Sequence, residues 1–321
     1  MAVYTEVSFD EAAALIAGLG IGELTALKPC LGGIENTNYF ADTTQGRYVL
    51  TLFERLTAQE LPFYLHLMKH LADRGIPVPG PKADARGTIL HTLNGKPAAI
   101  VDRLPGQHPM APNPQQCASV GSMLARMHLA GQDFRKQQPN LRGLDWWAVT
   151  VPLVRPHLTS AQQALIDSEL AFQQHLATTA GYAALPRGPI HADLFRDNAM
   201  FEGDTLTGLF DFYFAGVDTF GFDIAVCLND WCIALDTGQM HEDRATAFVA
   251  AYDAVRPLRA DEVRLLPALM RGAALRFWIS RLWDWHLPRD ASLLKPHDPT
   301  HFQRVLQARV DSPWQFARAR R

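Results

Sequence analysis

The segment 189–212 constrains the fold of this chain more than any other. Two short apolar runs flank the turn Glu202-Gly203-Asp204, which predicts a β-hairpin. Three polar side chains stand at the open end of that hairpin: Asp193, Asn198 and Asp211. Two carboxylates and an amide brought together can hold Mg²⁺ and orient a hydroxyl group, which is the arrangement that phosphoryl transfer needs. The rest of the chain is expected to bring ATP and an alcohol to this hairpin.

The spacing of these residues matters more than their identity, because any one of them alone is better explained as a structural cap in a loop. His191-Ala192-Asp193, followed by Asn198 and then by a strand ending in Asp211-Phe212, resembles the catalytic segment of protein-kinase-like phosphotransferases. The similarity is greatest to the aminoglycoside phosphotransferase and choline kinase branch. It implies an α+β, two-lobe fold, with a small antiparallel-sheet N-terminal lobe and a larger, mostly helical C-terminal lobe.

The chain up to residue 103 predicts that small lobe. A capping box, Ser8 with Glu11, opens a helix that stops at Gly18 to Gly20, and a second, Thr57 with Glu60, opens a helix to about residue 74. The predicted strands are 24–31, 38–41, 47–53, 87–93 and 96–103. The last two flank Asn94-Gly95, a strong hairpin signal. We therefore expect a five-stranded antiparallel sheet in a nucleotide-binding lobe over 1–103.

The predicted phosphate loop lies between the first two strands. Gly32 and Gly33 let the backbone approach a ligand closely. An ordinary hairpin turn would explain the pair equally well, but its position ahead of the third strand favours a loop over the ATP phosphates. Asn36 and Asn38 follow in a run that resembles the choline-kinase-like branch.

Two further positions concern the nucleotide. The third strand of a kinase should end in a lysine that pairs with phosphate, and here Thr51 stands near that place. Pro105-Gly106 ends the last strand, so the resemblance implies a hinge in which backbone groups from Asp102 to Leu104 meet adenine. A plain linker between domains is compatible with the same residues.

Residues 104–321 predict a catalytic and substrate lobe that is mostly helical. A helix from residue 112 carries His128, which is more simply explained as a packed histidine than as a ligand. Another helix is expected to begin at a cap on Ser160, and a long one covers 266–285. Asp223 resembles the buried aspartate of this superfamily that braces the catalytic loop.

Five segments together resemble the choline-kinase-like homoserine kinases of bacterial threonine synthesis. They are 51–54, 191–195, 211–214, 227–232 and 271–277. In that family threonine typically replaces the third-strand lysine, as Thr51 does here. One departure is Arg196, which stands where proline is common. The resemblance implies that ATP and L-homoserine give ADP and O-phospho-L-homoserine, with Asp193 orienting the hydroxyl and Asn198 and Asp211 holding Mg²⁺.

Homoserine carries an ammonium and a carboxylate, so its site should offer an acid and a fork-shaped arginine. Asp230 and Arg276 are the candidates, and the resemblance places Tyr213 and Trp231 in the same site. Choline, an aminoglycoside or methylthioribose remain alternative alcohols. A nucleotide-binding pseudokinase is a further alternative, which the intact set of three polar groups disfavours.

The composition excludes several kinds of partner. The net charge of the 321 residues is −3 with a pI near 6.4, so no basic field attracts nucleic acid. No apolar run reaches the length of a membrane span, and the N-terminus lacks the features of a secretion signal. Four scattered cysteines indicate free thiols in a reducing compartment. We expect a soluble cytoplasmic protein, monomeric or homodimeric, whose partners are small molecules.

Overall fold

A computed structural model describes residues 5–30, 36–287 and 297–317. The chain divides into two compact units. One comprises Met1–Gly106 with Thr207–Phe210, and the other Gln107–Leu206 with Asp211–Arg321. Among the described residues, no helix combines the length and the apolar character needed to cross a bilayer.

The first unit is built on an antiparallel sheet. Its elements are α1 (Phe9–Leu19), β1 (Leu24–Pro29), β2 (Asn36–Thr43), β3 (Arg47–Phe53), α2 (Pro62–Ala72), β4 (His91–Leu93) and β5 (Lys96–Asp102). The strands lie in the order β1-β2-β3-β5-β4, and each neighbouring pair is antiparallel. The predicted five-stranded antiparallel sheet is confirmed.

Helix α1 covers one face of this sheet. The predicted capping box is present, since the Ser8 hydroxyl accepts a hydrogen bond from the Glu11 amide and the Glu11 carboxylate accepts one from the Ser8 amide. The helix ends at Gly20, whose φ of +66° suits a residue without a side chain. Ile16 is fully buried in a core formed with alternate residues of β2 and β3.

Several predicted boundaries in this unit were wrong, and strand β2 spans Asn36–Thr43 where 38–41 was expected. The box of Thr57 and Glu60 closes a turn, and α2 begins later, with Pro62 in its first turn. Strand β1 ends at Pro29. The strand expected from residue 87 begins at His91, because Asp84 accepts hydrogen bonds from the amides of residues 86 and 88 and so commits that backbone to a turn.

The second unit is mostly helical. Its elements are α3 (Pro114–Ala130), α4 (Leu144–Val154), α5 (Ser160–Ala177), α6 (Ala180–Ala183), β6 (Arg187–Ile190), β7 (Ala199–Glu202), β8 (Thr205–Leu209, of which 207–209 belong to the first unit), β9 (Gly216–Thr219), α7 (Phe220–Trp231), α8 (Glu242–Val255), α9 (Ala260–His286) and α10 (Thr300–Asp311). Strands β7 and β8 form the predicted hairpin, and β6 pairs with β9.

Close packing of α3, α7, α8 and α9 forms the core of this unit. Helix α7 is buried along its whole length. A Cβ at Gly121 of α3 would lie 2.2 Å from the backbone oxygen of Phe248 in α8, so the two helices approach at a distance that only glycine allows. The N-cap of α5 is Thr159 and not Ser160 as predicted, and α9 begins six residues before its predicted start.

Candidate active site

The loop after β6 is held by a buried carboxylate. Asp223 of α7 accepts hydrogen bonds of 2.8 Å from the amides of His191 and Ala192, and its Oδ2 lies 2.9 Å from His128 Nε2. Ala192 has a φ of +63°, a conformation that L-residues rarely adopt and that these bonds stabilise. The predicted brace by Asp223 is confirmed.

His128 is the packed histidine that the sequence suggested. It is fully buried, and its Nδ1 lies 2.7 Å from the Tyr252 hydroxyl. Burial lowers the pKa of His128. Burial alone would raise the pKa of Asp223, but the hydrogen bonds from His128 and from the backbone outweigh that effect, and the net pKa is lowered.

The structure brings Asp193 and Asn198 together. Asn198 closes the turn Arg196–Asn198, and its Nδ2 donates to the Asp193 backbone oxygen at 2.8 Å and approaches Oδ2 at 3.4 Å. Because the amide nitrogen of the Asn198 side chain is used in this way, its oxygen is left to act as a ligand. Asp211 follows the hairpin with a φ of +67°, at the start of the short turn Phe212–Phe214.

The pKa of Asp193 reflects its burial and the charges around it. Burial raises the pKa of Asp193 to about 8, the positive charge of Arg276 opposes this shift, and the charges of Asp211 and Asp197 add to it. A cation beside these carboxylates would relieve their mutual repulsion. The site therefore has the charge and the oxygen ligands that suit a hard divalent ion.

The oxygen donors of Asn198 and Asp211 fit a hard divalent cation such as Mg²⁺. No cluster of three His, Cys, Asp or Glu side chains that could hold a metal occurs in the described ranges. Mg²⁺ characteristically needs only one or two protein oxygen ligands, together with phosphate oxygens and water. An amide oxygen on Asn198 and a carboxylate on Asp211 meet that requirement.

Arg276 of α9 forms an ion pair with Asp193. Its Nη1 lies 3.7 Å from Asp193 Oδ1, and the residue is 2% exposed. Its Nε and Nη2 have no hydrogen-bond partner in the described part of the chain. Burial lowers the pKa of Arg276 to about 10, so it remains charged at neutral pH. A buried guanidinium with two unpaired donors is costly, and an anionic ligand would satisfy it.

The other predicted substrate residues are Asp230, Trp231 and Tyr213, and the first two are hydrogen-bonded to the loop that carries Asp193. Asp230 Oδ2 accepts hydrogen bonds from the backbone and side chain of Arg196, and burial raises the pKa of this carboxyl while Arg196 opposes the shift. Trp231 is fully enclosed, and its indole nitrogen donates to the Leu194 backbone oxygen at 2.9 Å, so it supports the loop from behind. Burial raises the pKa of the Tyr213 hydroxyl.

The predicted nucleotide residues belong to the first unit. Gly32 and Gly33 lie outside the described residues. Asn38 and Thr51 are opposite each other on β2 and β3, and the Thr51 hydroxyl donates to Asn38 Oδ1 at 2.7 Å. A neutral pair therefore stands where a lysine was first expected.

The remaining positions are Asn36, Asp102 and Leu104. Asn36 begins β2, and its backbone oxygen accepts a hydrogen bond of 3.5 Å from Asn38 Nδ2. Asp102 ends β5 and pairs with Lys82 at 2.6 Å. Leu104 lies so close to Gly208 that a Cβ there would come within 2.5 Å of the Leu104 side chain.

Sequence reasoning missed the part played by Arg196. Its position was noted only as a departure from proline. The available signal was a charged residue that directly follows the apolar pair Leu194-Phe195 in the loop. Its partner is 34 residues further along the chain, in α7, and no local pattern joins the two.

A model of the phosphotransferase enzyme family matches residues 26–258 of this sequence. The chain belongs to this family. Homoserine kinases are among its relatives. The one from Polaromonas naphthalenivorans strain CJ2 is 66% identical over 98% of this chain and 99% of that protein. The one from Janthinobacterium sp. strain Marseille is 51% identical over 97% of each.

The solved structures that this phosphotransferase resembles support the same fold. The amicoumacin kinase hAmiN superposes with a TM-score of 0.68 at 17% identity, over 95% of each chain. The choline kinase LicA from Streptococcus pneumoniae gives a TM-score of 0.63 at 14% identity, over 95% of this chain and all of the other. The family and the protein-kinase-like α+β fold predicted from the sequence are confirmed.

Proposed function

We propose that this phosphotransferase transfers the γ-phosphoryl group of ATP to the hydroxyl of L-homoserine. The products are ADP and O-phospho-L-homoserine, an intermediate of threonine biosynthesis. Full-length relatives named homoserine kinase support this acceptor. The structural observation that carries it is the buried, incompletely paired guanidinium of Arg276, 3.7 Å from Asp193, because an amino-acid alcohol presents a carboxylate close to its hydroxyl.

Asp193 is the group that acts on the acceptor. Its carboxylate orients the substrate hydroxyl and takes the proton as the phosphoryl group is transferred. Burial raises the pKa of Asp193, and the ionised form that this role requires would be favoured by Arg276 together with a cation bound beside the carboxylates. Asn198 and Asp211 would hold Mg²⁺, which when bound would supply positive charge to the phosphates. Most of the catalysis then comes from positioning and charge stabilisation.

The acceptor itself is held by two charged side chains. Arg276 receives the substrate carboxylate through Nε and Nη2, a geometry that permits a bidentate pair. Asp230 receives the ammonium through Oδ1, since Oδ2 is already bonded to Arg196. Tyr213 lies on the short turn after Asp211 and contributes to the wall of the site. Trp231 contributes indirectly, through the loop that it supports.

ATP is the phosphoryl donor in this proposal. Its predicted contacts lie in the lobe of residues 1–103 and the strand end that follows: Gly32, Gly33, Asn36, Asn38, Thr51, Asp102 and Leu104. Residues 104–321 otherwise supply the catalytic and substrate groups. Asn38 and Thr51 form a neutral pair on the sheet. The negative charge of the phosphates is therefore compensated by Mg²⁺ and by backbone donors. An enzyme of this pathway would act in the cytoplasm, as a monomer or a homodimer.

A coupled assay of ADP release tests the acceptor directly. The purified protein is offered ATP and Mg²⁺ with L-homoserine, choline, an aminoglycoside or methylthioribose, and Asp193→Asn serves as the control for contaminating kinases. The proposal requires homoserine to have the highest kcat/KM. A higher kcat/KM for another alcohol would reject homoserine as the acceptor, and ATP binding without turnover of any alcohol would favour a pseudokinase.

A further inference from the structure

Arg196 is bonded through its main chain and through all three guanidinium nitrogens. Its amide donates to Asp230 Oδ2 at 2.8 Å, and its Nε donates to the same oxygen at 3.1 Å. Nη1 donates to the Met110 backbone oxygen at 3.0 Å, and Nη2 donates to the backbone oxygen of Asp230. One carboxylate oxygen thus fixes both the backbone and the side chain of a single loop residue.

This ion pair is shielded from water. The side chain of Arg196 is 6% exposed and that of Asp230 is 11% exposed. Removing one partner of such a pair leaves a buried charge without compensation, which is strongly destabilising. The pair therefore forms a rigid connection between the catalytic loop and α7.

The connection lies next to the predicted metal ligand. Arg196 begins the turn that Asn198 ends, and the amide of Asn198 donates to the Phe195 backbone oxygen at 2.9 Å. Phe195 in turn donates to the Asp193 backbone oxygen at 2.8 Å, the atom that also accepts from Asn198 Nδ2. Residues 193 to 198 form a closed hydrogen-bonded segment, which Arg196 attaches to Asp230 of α7 in addition to the bond between Leu194 and Trp231 of the same helix.

We propose that Arg196 and Asp230 are a pair of positioning residues, which fix the turn Arg196–Asn198 so that the Asn198 side-chain oxygen faces the metal. This inference rests on the metal role proposed for Asn198. The pair acts through Asp230 Oδ2 and the guanidinium, and neither group is one of the proposed metal ligands. The role is separate from the ammonium contact assigned above to the other oxygen of Asp230.

Asp230→Asn and Arg196→Met test the pair, with Arg271→Met as the matched control. Arg271 on α9 forms a comparable ion pair with Glu169, whose side chain is 3% exposed, and it has no bond to the catalytic loop among those described. Two readouts need no acceptor. One is hydrogen exchange at the amide of position 196 in the metal-free protein, and the other is Mg²⁺ affinity measured with a non-hydrolysable ATP analogue.

We expect faster exchange at position 196 and a Mg²⁺ affinity weakened about 10- to 100-fold in both test variants, which is typical when a partner of a metal ligand is removed. Arg271→Met should change neither. Unchanged exchange and unchanged Mg²⁺ affinity would overturn the proposal. So would an Asp230→Asn variant whose only defect is a higher KM for homoserine, because Asp230 would then serve the substrate alone.

A second variant covers the case in which a single substitution prevents folding. Arg196→Met combined with Asp230→Leu removes both charges, and buried pairs replaced in this way often keep their stability. Weakened Mg²⁺ affinity in the double variant supports the positioning role, and wild-type affinity refutes it. Wild-type protein that fails to phosphorylate homoserine would reject the proposed acceptor while leaving these binding and exchange results valid.

Discussion

An acceptor that lacks the carboxylate should reveal how much Arg276 contributes to kcat/KM. The analogue 3-aminopropan-1-ol keeps the hydroxyl and the ammonium of homoserine but leaves Nε and Nη2 of Arg276 unpaired, in a side chain that is 2% exposed. Losing one partner of a buried charge-assisted pair costs about 2–5 kcal/mol. At about 1.4 kcal/mol per factor of ten, kcat/KM should be about 30- to several-thousand-fold lower for the analogue.

Arg276→Met should then reduce this preference to a few-fold. Methionine keeps most of the buried volume, so the variant avoids the cavity that alanine would create. Because Arg276 also lies 3.7 Å from Asp193 and opposes the rise in its pKa, turnover of both substrates should fall. The ratio of the two kcat/KM values cancels that shared loss and isolates the carboxylate contact.

The assay is coupled ADP release over a range of each acceptor, with Arg271→Met as the control. Arg271 lies on the same helix as Arg276, and its replacement removes the ion pair with Glu169 of α5, so this variant should be less stable and yet keep the wild-type preference. Equal preferences in wild type and Arg276→Met would refute the carboxylate contact. A wild-type preference close to one would refute the premise that the site recognises a carboxylate at all.

Three further changes test the remaining groups. Asp193→Asn should lower kcat about 10²- to 10⁴-fold with ATP affinity retained, and a loss confined to ATP binding would assign Asp193 to the nucleotide. Asp211→Ala should nearly abolish turnover in a protein that still melts cooperatively, whereas normal, fully metal-dependent turnover would remove Asp211 from the site. His128→Gln should flatten the dependence of unfolding free energy on pH, measured by chemical denaturation. Burial lowers the pKa of His128 in the folded protein. The imidazole therefore binds a proton more readily in the unfolded state, where its pKa is about 6.5. The stability of the wild type is full above that pH and decreases as the pH falls below it. Equal slopes in the two proteins between pH 7.5 and 5 would contradict this reasoning.

The sequence by itself determined the elements whose signals are local. The Ser8 capping box, the Asn94-Gly95 turn and the hairpin around Gly203 involve residues a few positions apart, and each forms as predicted. The grouping of Asp193 with Asn198 follows in the same way, since a single turn joins them. Predicted element boundaries were wrong by a few residues where a side chain accepts hydrogen bonds from the nearby backbone, as Asp84 does before β4.

Tertiary structure alone decided which charged groups meet. Arg271 and Arg276 stand five residues apart on α9 and look alike in the sequence. Arg271 pairs with Glu169, whereas two donors of Arg276, beside Asp193, have no partner among the described residues. Asp230 was predicted as a substrate group, and folding also joined it to Arg196. The physical reason is that the partner of a buried charge depends on which helices pack together, and the residues that meet there are distant in the chain, beyond the reach of any local pattern.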